Sequence, residues 1–170
     1  MTRLSIELEG SEALQVALED LSEDIQRAIS DVVMETAADI EAGVKLRMQQ
    51  GPHTGAVYYR IDNGNGTYSV FANDSEGYVG TFRGAGLKAT HQASADGEAP
   101  APDTGVLLGS VYHEPTGRFS AVAGSRMDYA GYLEWGTFRI APRPTWTPEV
   151  ESATPVFYAD IERAIAGEIR

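Results

Sequence analysis

The chain has 170 residues, no cysteine, 25 acidic side chains against 13 basic ones, and a formal net charge of −12. The lack of cysteine excludes disulfides, thiolate metal sites and a cysteine nucleophile. The negative net charge argues against a protein that binds nucleic acid or anionic membranes, because proteins bind such surfaces through clustered basic side chains. A hydrophobic content of 42% is typical of a globular protein, and we expect one domain over residues 1–170.

The sequence also lacks targeting signals. The first ten residues have no apolar core of signal-peptide length, and no apolar run is long enough to span a bilayer. We therefore expect a protein that is made in a cytoplasm-like compartment and has no membrane partner.

The first fifty residues change from a strand pattern to a helical pattern. Residues 5–9 alternate between apolar and polar side chains, which predicts a strand. Apolar residues then recur three or four apart, which predicts an amphipathic helix from Ser11 to the break at Gly51-Pro52. This helix is either unbroken over 11–50 or broken near Ser22, a second possible N-cap. Its apolar stripe is long for a small domain, so we expect part of it to form a subunit interface. The stripe consists of Leu14, Leu18, Leu21, Ile25, Ile29, Val32, Val33, Ile40 and Val44.

The middle of the chain predicts a hairpin followed by a long loop. Residues 57–61 and 67–71 read as two strands joined by the Asn-Gly-rich turn at 62–66. Several glycines follow, and the stretch up to residue 102 is rich in small and polar side chains. This pattern indicates a long surface loop.

The last seventy residues predict short elements and a final helix. Asp103 or Thr104 can cap a short helix at 105–111, and residues 118–123 read as a strand. Residues 128–136 predict a helical turn closed by a glycine, followed by an extended stretch that contains three prolines. The final amphipathic helix is expected to begin near Thr154, which would place Pro155 at its first position. The predicted fold is α+β, with the N-terminal and C-terminal helices packed on a small, mostly antiparallel sheet.

No motif predicts a catalytic, cofactor or metal site. Asp103-Thr104-Gly105 matches the triplet of aspartic proteases, in which two carboxylates share a proton. It follows Ala-Pro-Ala-Pro, which cannot be a central strand, so helix capping is the favoured interpretation and a hydrolase is a remote alternative. The three histidines have no second ligand at helical or hairpin spacing, which indicates exposed loop histidines. We therefore expect a protein that is not an enzyme.

Aromatic side chains crowd into residues 129–146, which we name the aromatic stretch. Tyr129, Tyr132, Trp135, Phe138 and Trp146 lie there beside Gly136 and two prolines. Aromatic residues near glycine and proline form rigid, amphipathic contact surfaces. The alternative is that some of them fill the core.

Three sequence blocks, in this order, resemble the tail-completion or head–tail joining proteins of long-tailed phages, a family typified by the gene-ten product of a lambda-like coliphage. The first block is the long amphipathic helix that ends at Gly51-Pro52. The second begins at Thr54-Gly55 and, after an interruption over residues 60–90, continues over 91–101 and 103–110. The third covers 129–137, then 141–144 and the C-terminal helix. The interruption predicts an insertion in this chain.

The resemblance implies a structural protein of the virion, made in the bacterial host and located at the head–tail junction or in the tail. Related neck proteins form six-fold rings, so the implied partners are further copies of this chain, head-completion or connector proteins, and a tail-tube or tail-terminator protein. DNA would be passing cargo, and the alternative roles are tail terminator or assembly factor. A ring needs two different patches on each subunit. The candidate residues are Leu14, Leu18, Leu21 and Ile25 on the helix, and Tyr129, Tyr132, Trp135, Phe138, Arg143 and Trp146 in the aromatic stretch.

Overall fold

The structure is a computed structural model that describes residues 21–72, 77–84 and 90–167, together with the backbone of residues 5–8. In chain order its elements are β1 (Ser5–Leu8), α1 (Glu23–Gln50), β2 (Val57–Asp62), β3 (Thr67–Ala72), β4 (Tyr78–Arg83), β5 (Thr90–Gln92), α2 (Val106–Ser110), β6 (Val111–Gly117), β7 (Ser120–Ser125), α3 (Ala130–Trp135) and α4 (Trp146–Ile165). A long N-terminal helix, a C-terminal helix and a small antiparallel sheet make an α+β fold, which confirms the predicted fold class. Among the described residues, no helix is long and apolar enough to cross a membrane.

The chain divides into two compact units, which we describe separately. The first unit contains residues 1–45, 110–131 and 146–170, and the second contains residues 46–109 and 132–145. The prediction of one domain with an insertion at 60–90 stays a prediction.

Helix α1 begins at Glu23, directly after a serine cap. Ser22 Oγ accepts a hydrogen bond from Ile25 N at 3.5 Å, and Ser22 O accepts one from Gln26 N at 3.0 Å. Residues 21 and 22 are not helical, so a break near Ser22 is confirmed and an unbroken helix over 11–50 is wrong. Leu14 and Leu18 lie outside the described residues. The 28 residues of α1 span about 42 Å at ~1.5 Å per residue.

The core of the first unit forms where α1, α4 and β7 meet. Ala28, Ile29 and Val32 of α1 form a buried cluster with Ala164 of α4. Two further residues of α1, Val33 and Ala37, pack on Ala121 of β7. Phe157 of α4 contacts both clusters. Ile29, Val32 and Val33 of the predicted stripe therefore lie in the core of the first unit. A subunit interface on the stripe stays a prediction.

The sheet of the first unit has the order β1-β7-β6, and both pairs are antiparallel. The predicted strand at 118–123 appears two residues later as β7, whose residues Ala121–Ser125 are buried. The predicted helix at 105–111 ends at Ser110, and β6 begins at the next residue. Strand β6 was not predicted, because Glu114, Pro115 and Gly117 interrupt the alternation of apolar and polar residues that indicates a strand. At the edge of a sheet, Pro115 costs little because its missing N–H is not needed for pairing.

Helix α4 begins at Trp146, eight residues before the predicted start at Thr154. Pro148, which we expected in an extended stretch, lies in the first turn, where a backbone N–H has no helical acceptor to lose. Pro155 lies inside the helix and removes one hydrogen bond there. The helix continues through it, because Phe157, Ile161 and Ala164 pack against α1 and its neighbours.

The second unit contains a four-stranded antiparallel sheet with the order β4-β3-β2-β5. Strands β2 and β3 form the predicted hairpin, and Gly64 in its turn has a φ of +74°. The predicted long loop is wrong in part, because residues 78–83 and 90–92 are strands β4 and β5. Glycines interrupt the alternation of β4, and β5 is too short to show a period, so cross-strand pairing defines both. Tyr68 of β3 stacks on Phe82 of β4 with ring centroids 5.8 Å apart.

The two halves of the second sequence block meet in this unit. Gly55 N donates to Ala93 O at 2.9 Å, and Ala93 N donates to Ala56 O at the same distance. Tyr59 pairs with Thr90, so residues 60–89 leave and re-enter the sheet at neighbouring points. This is the geometry that an insertion into a pre-existing pair of strands would have.

Candidate interaction surface

The structure separates the predicted interaction residues into exposed and internal ones. Tyr132 is 58% exposed, Trp135 61% and Phe138 90%, all in the second unit. Leu21 and Ile25 are half-buried against the cluster around Ile29, so they complete the core of the first unit. Whether the exposed residues bind a partner stays a prediction.

The first unit holds two other residues of the aromatic stretch. Trp146 is 2% exposed at the start of α4, so its place as an interaction residue is wrong. Tyr129 is exposed, although partial burial raises the pKa of its hydroxyl above the usual value. Sequence alone could not separate these cases, because both side chains lie in the same aromatic-rich stretch.

A tight turn follows α3 and carries the exposed Phe138. Gly136 ends the helix with a φ of +72°, as the sequence predicts. A Cβ at this position would lie 2.7 Å from Ile140 O and 2.9 Å from Pro142 N. The turn closes through Thr137 N, which donates to Ile140 O at 2.8 Å. The backbone therefore approaches itself so closely that only glycine fits.

Buried polar contacts hold this turn to the rest of the second unit. Glu134 is buried, and its Oε2 accepts a hydrogen bond from Thr145 N at 2.7 Å. Arg143 N donates a hydrogen bond to Leu133 O at 2.7 Å. The Arg143 guanidinium donates to two acceptors of the buried Ser94, the carbonyl oxygen and the hydroxyl Oγ. Arg143 was predicted as a contact residue. In this structure its side chain is half-buried and positions the turn.

Residues 137–140, which we name the tip, carry an apolar and a cationic side chain together. The Arg139 guanidinium carbon lies 4.8 Å from the ring centroid of Phe138, within the range of a cation–π contact. Thr137 Oγ1 accepts hydrogen bonds from Arg139 N and Ile140 N at 3.2 Å each. Arg139 and Ile140 were not singled out from the sequence, although the preceding Gly136-Thr137 pair signals an exposed turn.

Asp103 forms an ion pair with Arg60. Its two carboxylate oxygens accept hydrogen bonds from the two terminal nitrogens of Arg60, one of them at 2.8 Å. His91 Nδ1 lies 3.9 Å from Asp103 Oδ1. An aspartic-protease dyad needs a second carboxylate beside the first. The contacts that the structure records around Asp103 are with these basic side chains.

The expectation of exposed loop histidines is wrong for all three. His53 lies in the loop after α1, but it is half-buried and its Nε2 is shielded from solvent. His91 lies on β5 in the recess that contains Asp103, and His113 lies on β6, where its Nδ1 contacts Glu41 Oε2. Within the described ranges, no group of three His, Asp or Glu side chains could hold a metal ion.

Glu41 contacts two basic side chains in the first unit. Lys45 Nζ contacts its Oε1 and His113 contacts its Oε2. Desolvation acts to raise the pKa of Glu41, but the hydrogen bonds and charges of Lys45 and His113 outweigh it, so the pKa lies below its usual value. The contact with His113 joins α1 to the edge strand β6.

Glu98 also joins two segments of the chain, in the second unit. Its carboxylate accepts hydrogen bonds from Thr54 Oγ1 at 2.5 Å, Thr54 N at 2.9 Å and Ala95 N at 2.7 Å. These bonds stabilise the ionised form and lower the pKa of Glu98. The carboxylate therefore joins the loop after α1 to the loop after β5.

No family model, curated protein or solved structure matches this chain.

Proposed function

We propose that this chain is a structural protein of the head–tail connection of long-tailed phages, where its copies form a ring and contact neighbouring neck or tail proteins. The observation that carries the proposal is the exposure of Tyr132 and Trp135 on α3 and of Phe138 in the tight turn that follows it. Large aromatic side chains at the centre of an interface dominate binding free energy. A folded chain that keeps them exposed has a surface suited to a partner.

Two further observations support this role. The turn lies in the third sequence block of the resemblance, and the two halves of the second block pair in space. The net charge of −12 suits a channel component past which DNA moves without adhering, because acidic side chains repel phosphates. Reversal of several acidic residues that face the bore to lysine is then expected to slow genome ejection.

Deletion of the gene in the phage or prophage that encodes it tests the proposal. We expect lysates with filled heads and separate tails of normal length, visible by electron microscopy. Joined virions without the protein would overturn the proposal. Tails of irregular length would identify a tail terminator instead, and absence of the protein from purified wild-type virions would identify an assembly factor.

Complementation with variants then tests the aromatic surface. The double variant Tyr132→Ala, Trp135→Ala should fold but restore few joined particles. Tyr78→Ala is the matched control, because Tyr78 is as exposed as Tyr132 but lies on β4. Equal restoration by both variants would show that the aromatic stretch is not the contact surface.

A further inference from the structure

A groove runs along the first unit between α1 and α4. It has a volume of about 260 Å³, and Val32, Ile40 and Phe157 line its apolar part. Val156 of α4 also lines it and is 57% exposed. Val32 and Ile40 are buried at its base, so Val156 and the half-buried Phe157 supply the apolar surface that a side chain from solvent can reach.

The rim of this groove is acidic. Glu35 and Asp39 of α1 line it together with Glu149 and Asp160 of α4, and no basic side chain is among the described residues that line it. Asp160 pairs with Arg163. Glu35 and Asp39 have no ion-pair partner in the part of the chain that the structure describes. The groove therefore combines an apolar floor with carboxylates available to a cation.

The tip in the second unit has the complementary chemistry. Phe138 is almost fully exposed and Ile140 is exposed beside it. Arg139 stacks on Phe138 and has no carboxylate partner among the described residues. The tip thus presents an aromatic ring and a positive charge as one unit, on a turn whose backbone is fixed by Gly136.

We propose that the tip of one copy of this chain occupies the α1–α4 groove of the next copy. Phe138 would cover the apolar floor, while Arg139 would meet Glu35 and Asp39. The contact joins two different patches, so it is heterologous and leads to a ring when the rotation closes. The inference rests on the proposed function and names the surfaces through which its ring would form.

The size of the contact predicts how the assembly behaves. A buried aromatic side chain covers on the order of 150–250 Å², whereas a stable pair buries about 800 Å² on each partner. One such contact is therefore weak. Each subunit of a ring makes two contacts, so we expect self-association that depends steeply on concentration and weakens with salt.

Single charge reversals on each side test the contact by native mass spectrometry and sedimentation of the full chain. Arg139→Glu, Asp39→Lys and Phe138→Ala are each expected to weaken self-association by at least about tenfold, which corresponds to about 1.4 kcal/mol. The matched controls are Arg118→Glu and Asp31→Lys, which make the same charge changes at exposed positions outside the tip and the groove. Circular dichroism establishes that all variants keep the fold.

A mixing experiment identifies the two surfaces as partners. Arg139→Glu and Asp39→Lys chains, each weakened alone, should assemble when combined, because every tip then meets a groove of opposite charge. The assemblies should contain both variants in equal numbers. Failure of the mixture to assemble would overturn the contact.

Two other results would also overturn the inference. In one, the variants assemble like the wild type. The ring would then use other surfaces, and the proposed function would be unaffected. In the other, the wild-type chain stays monomeric at its highest soluble concentration. The proposed function is decided separately, by whether virions join head to tail without the protein.

Discussion

Replacement of Gly136 by alanine tests the tight turn that carries Phe138. A left-handed backbone costs an L residue about 1–2 kcal/mol. The added Cβ would also stand 2.7 Å from Ile140 O and 2.9 Å from Pro142 N, and these are backbone atoms that cannot rotate away. Overpacking of this kind costs typically about 1–3 kcal/mol. We therefore expect Gly136→Ala to lower the free energy of unfolding by about 2–5 kcal/mol.

Gly64→Ala is the matched control for this prediction. Gly64 has a φ of +74°, against +72° for Gly136, and a Cβ there would meet nothing within 4 Å. In both variants alanine must adopt a left-handed backbone, which lowers stability, and in both it reduces the conformational entropy of the unfolded chain, which raises stability. These two effects are the same at the two positions. The difference between them therefore isolates the close approach, at about 1–3 kcal/mol, or about 2–4 °C in Tm per kcal/mol for a chain of this size.

Denaturation in urea, followed by circular dichroism, measures both variants. If Gly136→Ala and Gly64→Ala lower stability equally, the turn after α3 does not close as tightly as described. The reasoning that only glycine fits there would then be refuted. Proteolysis of the folded variants gives a second readout, because a displaced turn around Pro142 is expected to be cut faster.

Three further predictions follow from individual contacts. The pKa of Glu41 is lowered in the folded chain. Its stabilising effect is therefore fully present above the pKa of the unfolded state and is lost as pH falls through the folded pKa. Glu41→Gln should therefore destabilise the chain in urea at neutral pH and less so in acid, and an equal loss at both pH values would contradict this. Trp146→Ala should cost about 3–5 kcal/mol, because the side chain is buried, and a loss below about 1 kcal/mol would place it at the surface. Asp103→Asn removes the charge that faces Arg60 and should lower the free energy of unfolding by about 1–3 kcal/mol. If the variant instead keeps its stability and loses a peptidase activity of the wild type, the hydrolase alternative is favoured.

Local patterns predicted the elements that carry their own signals. The helical period of α1, the Asn-Gly turn between β2 and β3, and the glycine after α3 each depend on residues close together in the chain. Short strands lack such signals. Strands β4, β5 and β6 form because a neighbouring strand pairs with them, and glycine or proline interrupts the alternation of β4 and β6.

The candidate surface was predicted in part. The sequence identified the aromatic stretch, and the structure leaves Tyr132, Trp135 and Phe138 exposed within it. It did not identify the groove, because Asp39 on α1 and Val156 on α4 are brought together only by helix packing. Nor did it show that Arg143 positions the turn, since Ser94 lies 49 residues away.

Composition and local periodicity by themselves determined that this chain is acidic, free of cysteine chemistry and α+β. These properties depend on residue identity and on spacing within a few turns of chain. Tertiary structure alone decided which aromatic side chains face solvent. Trp135 and Trp146 are eleven positions apart in similar surroundings, yet Trp135 is exposed and Trp146 is buried at the start of α4. Burial depends on contacts between distant segments, and no local pattern encodes it.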